Sequence, residues 1–366
     1  LKEIRVLKEM IKAELEVREM NSMERVLKAL NHEEADRVPV YPLLAGVSRH
    51  LIGVNCKEWS TDAELCVKGL LKAKEDFDLD CIVTLIDLSL ECDAWGQELV
   101  YPDNEPAHPN YKNQVIATED DYDKIQYVDY RNSERMMMHI EVCRRLVEEA
   151  KGEYPVIAFV FGPLGILSML RNQEEMYVDC IEQPETVYAA TGRISQTLKD
   201  YCHAIMETGV QGIMFDTLFA SGSIMSKEMW DELEGDWIEE LSNQVREDGG
   251  LVMIHNCGGN IYFDAQIKRM QPAAISFLYP PDDCADLAET KEKYGDVTTL
   301  IGAVAPTTVT VGSPESIDAE CRGNIDAMAK GGGFMLATGC ELISPDAFAG
   351  ARQMVEIAKT YGVYQH

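Results

Sequence analysis

Short runs rich in β-branched and aromatic residues recur at 38–41, 81–86, 156–161, 212–215, 251–255, 274–277, 299–302 and 334–337, and each reads as a buried strand. Between and after them lie stretches with helical spacing at 62–75, 133–151, 184–208, 227–247, 264–270, 283–294, 314–330 and 345–361. Start signals support several of these. Ser226 is a candidate cap, and Ser313-Pro314 and Ser344-Pro345 place a serine before proline at the first helical position. Ahead of the strands, Ile4, Leu7, Ile11 and Leu15 make one apolar stripe, so 1–20 reads as a helical arm. A second helix starts at Asn21, where Glu24 completes a capping box.

Eight strand-then-helix units, with no two strands joined by a tight hairpin, predict parallel pairing throughout. The closed eightfold solution is a TIM (β/α)8 barrel over 36–366, with 1–35 as an N-terminal helical arm. An open doubly wound sheet is disfavoured because no G-x-G-x-x-G follows the first strand and no linker splits the chain. The stretch 95–130, with several prolines and many acids, is an excursion after the second strand that is expected to cap the barrel mouth.

Composition then removes whole classes of function. With 46% hydrophobic residues the chain can bury a sizeable core. Thirty-three basic against 63 acidic side chains give a net charge of −30, which repels phosphate backbones and anionic lipid and would draw in a protein with a basic rim. No apolar run approaches the roughly 20 residues of a membrane span, and the first residues are too charged for a secretory signal, so the chain reads as cytoplasmic. The Leu1 start suggests a chain that continues upstream. Eleven scattered cysteines form no disulfide framework, so most are expected to be small buried hydrophobes and a few metal ligands.

In such a barrel the chemistry sits where strands end. The fifth strand ends in His255-Asn256-Cys257-Gly258-Gly259, which puts an imidazole and a thiol on one face of extended backbone before two glycines. The eighth ends in Thr338-Gly339-Cys340-Glu341 and can face the fifth across the mouth. His255, Cys257 and Cys340 together are a three-ligand set with soft donors, which suits catalytic zinc with one open position. Asp87 and Asp216 are the candidate acids at the mouth, and Asp216, Tyr279 and Glu341 are each a candidate fourth ligand, acid or orienting partner of His255. Phe161, Phe219 and Tyr279 are candidate substrate contacts, whereas Phe159 and the other strand phenylalanines read as core.

Four stretches, RVLKALNHEEADRVPVYP, FGPLGILSML, HNCGGN and ATGCELISPDAF, resemble the uroporphyrinogen decarboxylase superfamily, and within it the zinc-dependent methyltransferases that work with corrinoid proteins. That resemblance implies zinc on His255, Cys257 and Cys340, and a corrinoid (cobalamin) carried by a separate partner protein. It fits the lack of any Asp-x-His-x-x-Gly cobalamin signature here. The stretches GIMFDTLFASGSIMSKEMW and MIHNCGGNIYFDAQI look like O-demethylase methyltransferases, which implies transfer from an aromatic methyl ether to Co(I). The alternatives are methyl transfer to the thiol of coenzyme M and, further off, uroporphyrinogen decarboxylation. The decarboxylase branch holds its acidic tetrapyrrole with an arginine-rich segment after the first strand, where this chain offers only Arg49, although Asp87 falls near that branch's catalytic aspartate. Homo-oligomerisation is left open.

Overall fold

Eight short strands line up in parallel: β1 Val40–Tyr41, β2 Ile82–Val83, β3 Val156–Phe161, β4 Gly212–Asp216, β5 Leu251–Asn256, β6 Ala274–Phe277, β7 Thr299–Val304 and β8 Phe334–Thr338. Their order, β1-β8-β7-β6-β5-β4-β3-β2, is a nearly closed TIM-type barrel. This computed structural model describes residues 20–364, so the apolar stripe from Ile4 to Leu15 lies outside the described residues. Strands β3 and β7 are buried along their whole length, as parallel strands covered on both faces must be.

The seam between β1 and β2 is bridged by Asp80. Its amide donates to the Val40 carbonyl at 2.9 Å and its carboxylate accepts the Val40 amide at 2.8 Å. The same carboxylate binds Arg25 and Arg37, each at 2.7 Å, and the Ser22 hydroxyl at 3.0 Å. Helix α1, Ser22–Leu30, is thereby fastened across the N-terminal ends of the strands, where Thr299 also donates to the Ala29 carbonyl. Its Asn21–Glu24 capping box is formed as the sequence predicts.

The main barrel helices are α2 Ala63–Phe77, α3 Glu134–Ala150, α4 Pro163–Leu170, α5 Pro184–Met206, α6 Asp236–Glu247, α7 Phe263–Met270, α8 Leu287–Tyr294, α9 Pro314–Met328 and α10 Phe348–Thr360. Ser226, Ser313 and Ser344 all cap as expected.

Three differences from the sequence reading bear on the mouth. The stretch 227–247 is not one helix: Lys227–Trp230 passes through a π turn at Asp231–Gly235 before α6 begins. There Glu234 turns inward, accepting from the Trp230 indole at 2.7 Å and the Leu164 amide at 2.9 Å. Helix α4 carries no amphipathic signal because it is buried on nearly every side. The excursion after β2 does contain a hairpin, a two-residue antiparallel pair of Leu99–Val100 with His108–Pro109.

Candidate metal centre and catalytic cavity

Phe161, Asp216, His255 and Ser276 stand in one lateral row across β3, β4, β5 and β6, so in parallel register their side chains share one face. His255 is buried, and its Nδ1 lies 3.1 Å from the Ser276 hydroxyl, which leaves Nε2 for the mouth. Two residues on, Cys257 leaves the strand where Gly258 runs against Ser221, a place where any Cβ would lie 2.4 Å from the serine oxygen. Gly339 does the same at the end of β8. A Cβ there would strike Leu278 at 2.5 Å, and its absence lets Cys340 swing in beside β5.

The result is one cluster: the ligand atoms of His255, Cys257 and Cys340 all lie within 4.8 Å of one another. Tetrahedral zinc with bonds of about 2.0–2.3 Å would hold such donors roughly 3.5–3.8 Å apart, a spacing within that bound. One imidazole nitrogen and two sulfurs suit zinc and disfavour magnesium or calcium.

The proton-binding groups of the triad act strongly on one another. The two cysteines hydrogen-bond each other, which holds the Cys340 thiol well below its usual range and pushes Cys257 up. Burial works against a charged His255, but the Cys340 sulfur and the Asp216 carboxyl outweigh it and raise the imidazole. Burial pushes the Asp216 carboxyl up to about 6, Cys340 adding to the rise and His255 opposing it. Its Oδ1 accepts the Leu218 amide at 3.1 Å.

A cavity of about 280 Å³ opens on the triad. Asp87, Asp216 and Glu341 lie on its polar side, and Leu88, Phe159 and Met169 are among its apolar walls. The excursion does cap it. His108 and Tyr111, stacked at 5.8 Å and nearly parallel, border the opening together with Pro106.

The sequence-derived candidates fall in different places. Asp87 and Asp216 both reach the cavity, but Asp87 is already engaged by Arg135 through both oxygens and by the Ser89 hydroxyl at 2.6 Å. Glu341 points neither to the following helix nor into open solvent. It accepts the Gly46 amide at 2.6 Å, and burial pushes its carboxyl up to about 8. Phe161 packs against Gly165 of α4, Phe219 packs near Tyr177 in the interior, and Tyr279 is 53% exposed on the rim. None of these three borders the cavity. Phe159, read from sequence as core, does border it, with its ring centroid 5.8 Å from that of His255. Its strand position gave no sign of this, because the cavity reaches one layer deeper than the strand end.

The uroporphyrinogen decarboxylase (URO-D) family model matches residues 21–361. A uroporphyrinogen decarboxylase of Xanthomonas oryzae pv. oryzae is 22% identical over 85% of this chain and 89% of its own length. One from Hamiltonella defensa is 23% identical over 86% and 89%. Among solved structures, a methyltransferase from Methanosarcina mazei superposes with a TM-score of 0.74 at 19% identity, covering 94% of this chain and 99% of that one. A B12-independent methionine synthase from Shewanella sp. W3-18-1 gives 0.51 at 11% identity over 88% and 95%. At these identities the structural likeness establishes the barrel fold.

Proposed function

The chain belongs to the uroporphyrinogen decarboxylase family, and on that premise we propose that it is a zinc-dependent methyltransferase, moving a methyl group from a small aromatic methyl ether to the reduced corrinoid of a separate protein. The observation that carries this reading is the convergence of His255, Cys257 and Cys340 from two strand ends onto one point at the floor of a closed-in cavity. Bound there, zinc supplies a Lewis acid for the ether oxygen.

The chain's own residues supply the rest. Ser276 fixes the ring of His255 by its Nδ1 contact. Asp216, buried and raised to about 6, is the group placed to give a proton to the departing phenoxide. Asp87, held by Arg135 through both oxygens, lines the polar side of the cavity. The apolar walls and the His108–Tyr111 cap hold one ring and keep bulk water from the leaving oxygen. A cavity of about 280 Å³ stands just below the usual range for small-molecule sites, roughly 300–1,000 Å³, and suits a single ring far better than an acidic tetrapyrrole.

The test combines metal analysis with turnover. The purified protein should hold one zinc per chain, and Cys257→Ser and Cys340→Ser should lose both metal and activity. Mixed with a methoxylated aromatic, a cognate corrinoid protein and a reductant, the wild type should yield methylcobalamin and the free phenol, followed by absorbance. Fast methylation of coenzyme M from methylcobalamin, with no transfer from any ether, would move the assignment to the thiol methyltransferase. Uroporphyrinogen turnover at about 1 per second or faster would return it to the decarboxylase.

A further inference from the structure

Eight of the eleven cysteines are buried, and Cys257, Cys284 and Cys340 are the half-buried ones. Cys284 stands apart, its thiol turned to the Asp283 carboxylate at 3.5 Å. Of the buried thiols, Cys92 donates to the Ser89 carbonyl at 3.2 Å, and Cys143 lies 3.8 Å from the Thr84 hydroxyl. Cys257 and Cys340 are a different case. Their sulfurs lie within 4.8 Å of each other, they hydrogen-bond each other, and both border the cavity of about 280 Å³.

That proximity comes from ring closure, since Cys257 follows β5 and Cys340 follows β8. A disulfide holds its sulfurs about 2.05 Å apart, so the pair has less than about 3 Å left to close. The cavity brings a small oxidant to both sulfurs at once, and access of this kind is what separates a reactive cysteine from a structural one.

We infer that Cys257 and Cys340 form a reversible disulfide, a redox modification that withdraws both sulfur ligands from the metal centre. With hydrogen peroxide as oxidant, the two sulfurs give up two electrons, an S–S bond forms and the O–O bond breaks. The two thiol protons leave with the oxygens as two molecules of water. A dithiol reductant reverses the step by exchange through a mixed disulfide. Of the three donors only His255 is then left, and one imidazole is too few for a zinc site. The bond also ties β5 to β8, closing the long loop through β6 and β7. The consequence for metal rests on the proposed zinc site, whereas the bond itself does not. Transfer to Co(I) needs reducing conditions, under which the dithiol persists, so metal uptake is shut off only when transfer cannot run.

The test uses the purified full chain, stripped of metal with a chelator and treated with an equimolar amount of hydrogen peroxide. Remaining thiols are blocked and the protein is digested without reductant. Mass spectrometry should find the Cys257 and Cys340 peptides joined with the loss of two hydrogen atoms, and a dithiol reductant should part them. The oxidised protein should fail to take up zinc and regain uptake on reduction. Its urea midpoint should exceed that of the reduced, metal-free chain. Cys284→Ser should cross-link like the wild type, and Cys340→Ser should leave Cys257 without a cross-link. Both thiols intact after peroxide, either one carried to the sulfinic acid, or a bond to any other cysteine overturns the inference, and the wild-type map alone decides this. A cross-linked protein that takes up zinc as well as the reduced one overturns the effect on the metal. A protein that cross-links but binds no zinc when reduced would sink the zinc reading and leave the disulfide. Zinc uptake by a reduced protein whose thiols never join would do the reverse.

Discussion

Replacing Ser276 by alanine removes the one hydroxyl that faces His255 Nδ1, from a strand position only 3% exposed and without touching a metal ligand. Loss of such an orienting partner typically weakens metal affinity by about 10- to 100-fold. At free zinc 100 times the wild-type Kd, binding stabilises the fold by about 2.7 kcal/mol, and at the same concentration the variant should retain only about 0.4 to 1.4 kcal/mol. A second cost, about 1–3 kcal/mol for the imidazole N–H left without a partner, is present with and without metal. Urea denaturation of both proteins, each in chelator and in buffered zinc, separates the two effects. The wild-type increment on adding zinc should exceed the variant's by about 1.3 to 2.3 kcal/mol. An equal increment in both proteins would show that Ser276 does not orient a metal ligand, and the reading of His255 would fail with it.

Asp216→Asn should lower ether demethylation sharply at constant zinc content, whereas Asp87→Asn should act mainly by releasing Arg135; equal activity in both variants would deny them any catalytic part. Burial raises the Glu234 carboxyl from 4.5 to about 7, so the folded chain keeps this proton longer than the unfolded one. Stability should therefore fall as pH rises from about 4.5 to 7, by at most about 3 kcal/mol, and Glu234→Gln should flatten that part of the urea-midpoint profile. Asp80→Ala leaves Arg25 with Asp36 alone, Arg37 without a carboxylate and the Val40 amide without an acceptor; it should cost at least about 3 kcal/mol, read as a lower urea midpoint.

The barrel was legible because its strands are buried on both faces and so read as continuous apolar runs, and the convergence of His255, Cys257 and Cys340 because strand ends with His-x-Cys and Gly-Cys are unusual in composition. What escaped is what depends on distant partners. Asp87 is defined by Arg135, 48 residues on, and Glu234 by the Leu164 amide 70 residues before it, through a π turn that keeps a helical apolar period. Phe159 and Phe161 have the same parity along β3, and the packing of Phe161 against Gly165 of α4, which their spacing does not show, sets them apart. The cavity roof comes from a proline-rich stretch with no period to read, so its His108 and Tyr111 could not be ranked above their neighbours.

The division of the triad between β5 and β8 also has a bearing on biosynthesis. His255 and Cys257 leave the ribosome well before Cys340, and until the eighth strand docks between β7 and β1 they amount to a two-donor chelate on an open sheet. On the proposed assignment, metal uptake would follow ring closure instead of guiding it. A nascent chain stalled before β8 should exchange zinc freely with cellular chelators, and only the finished barrel should retain it.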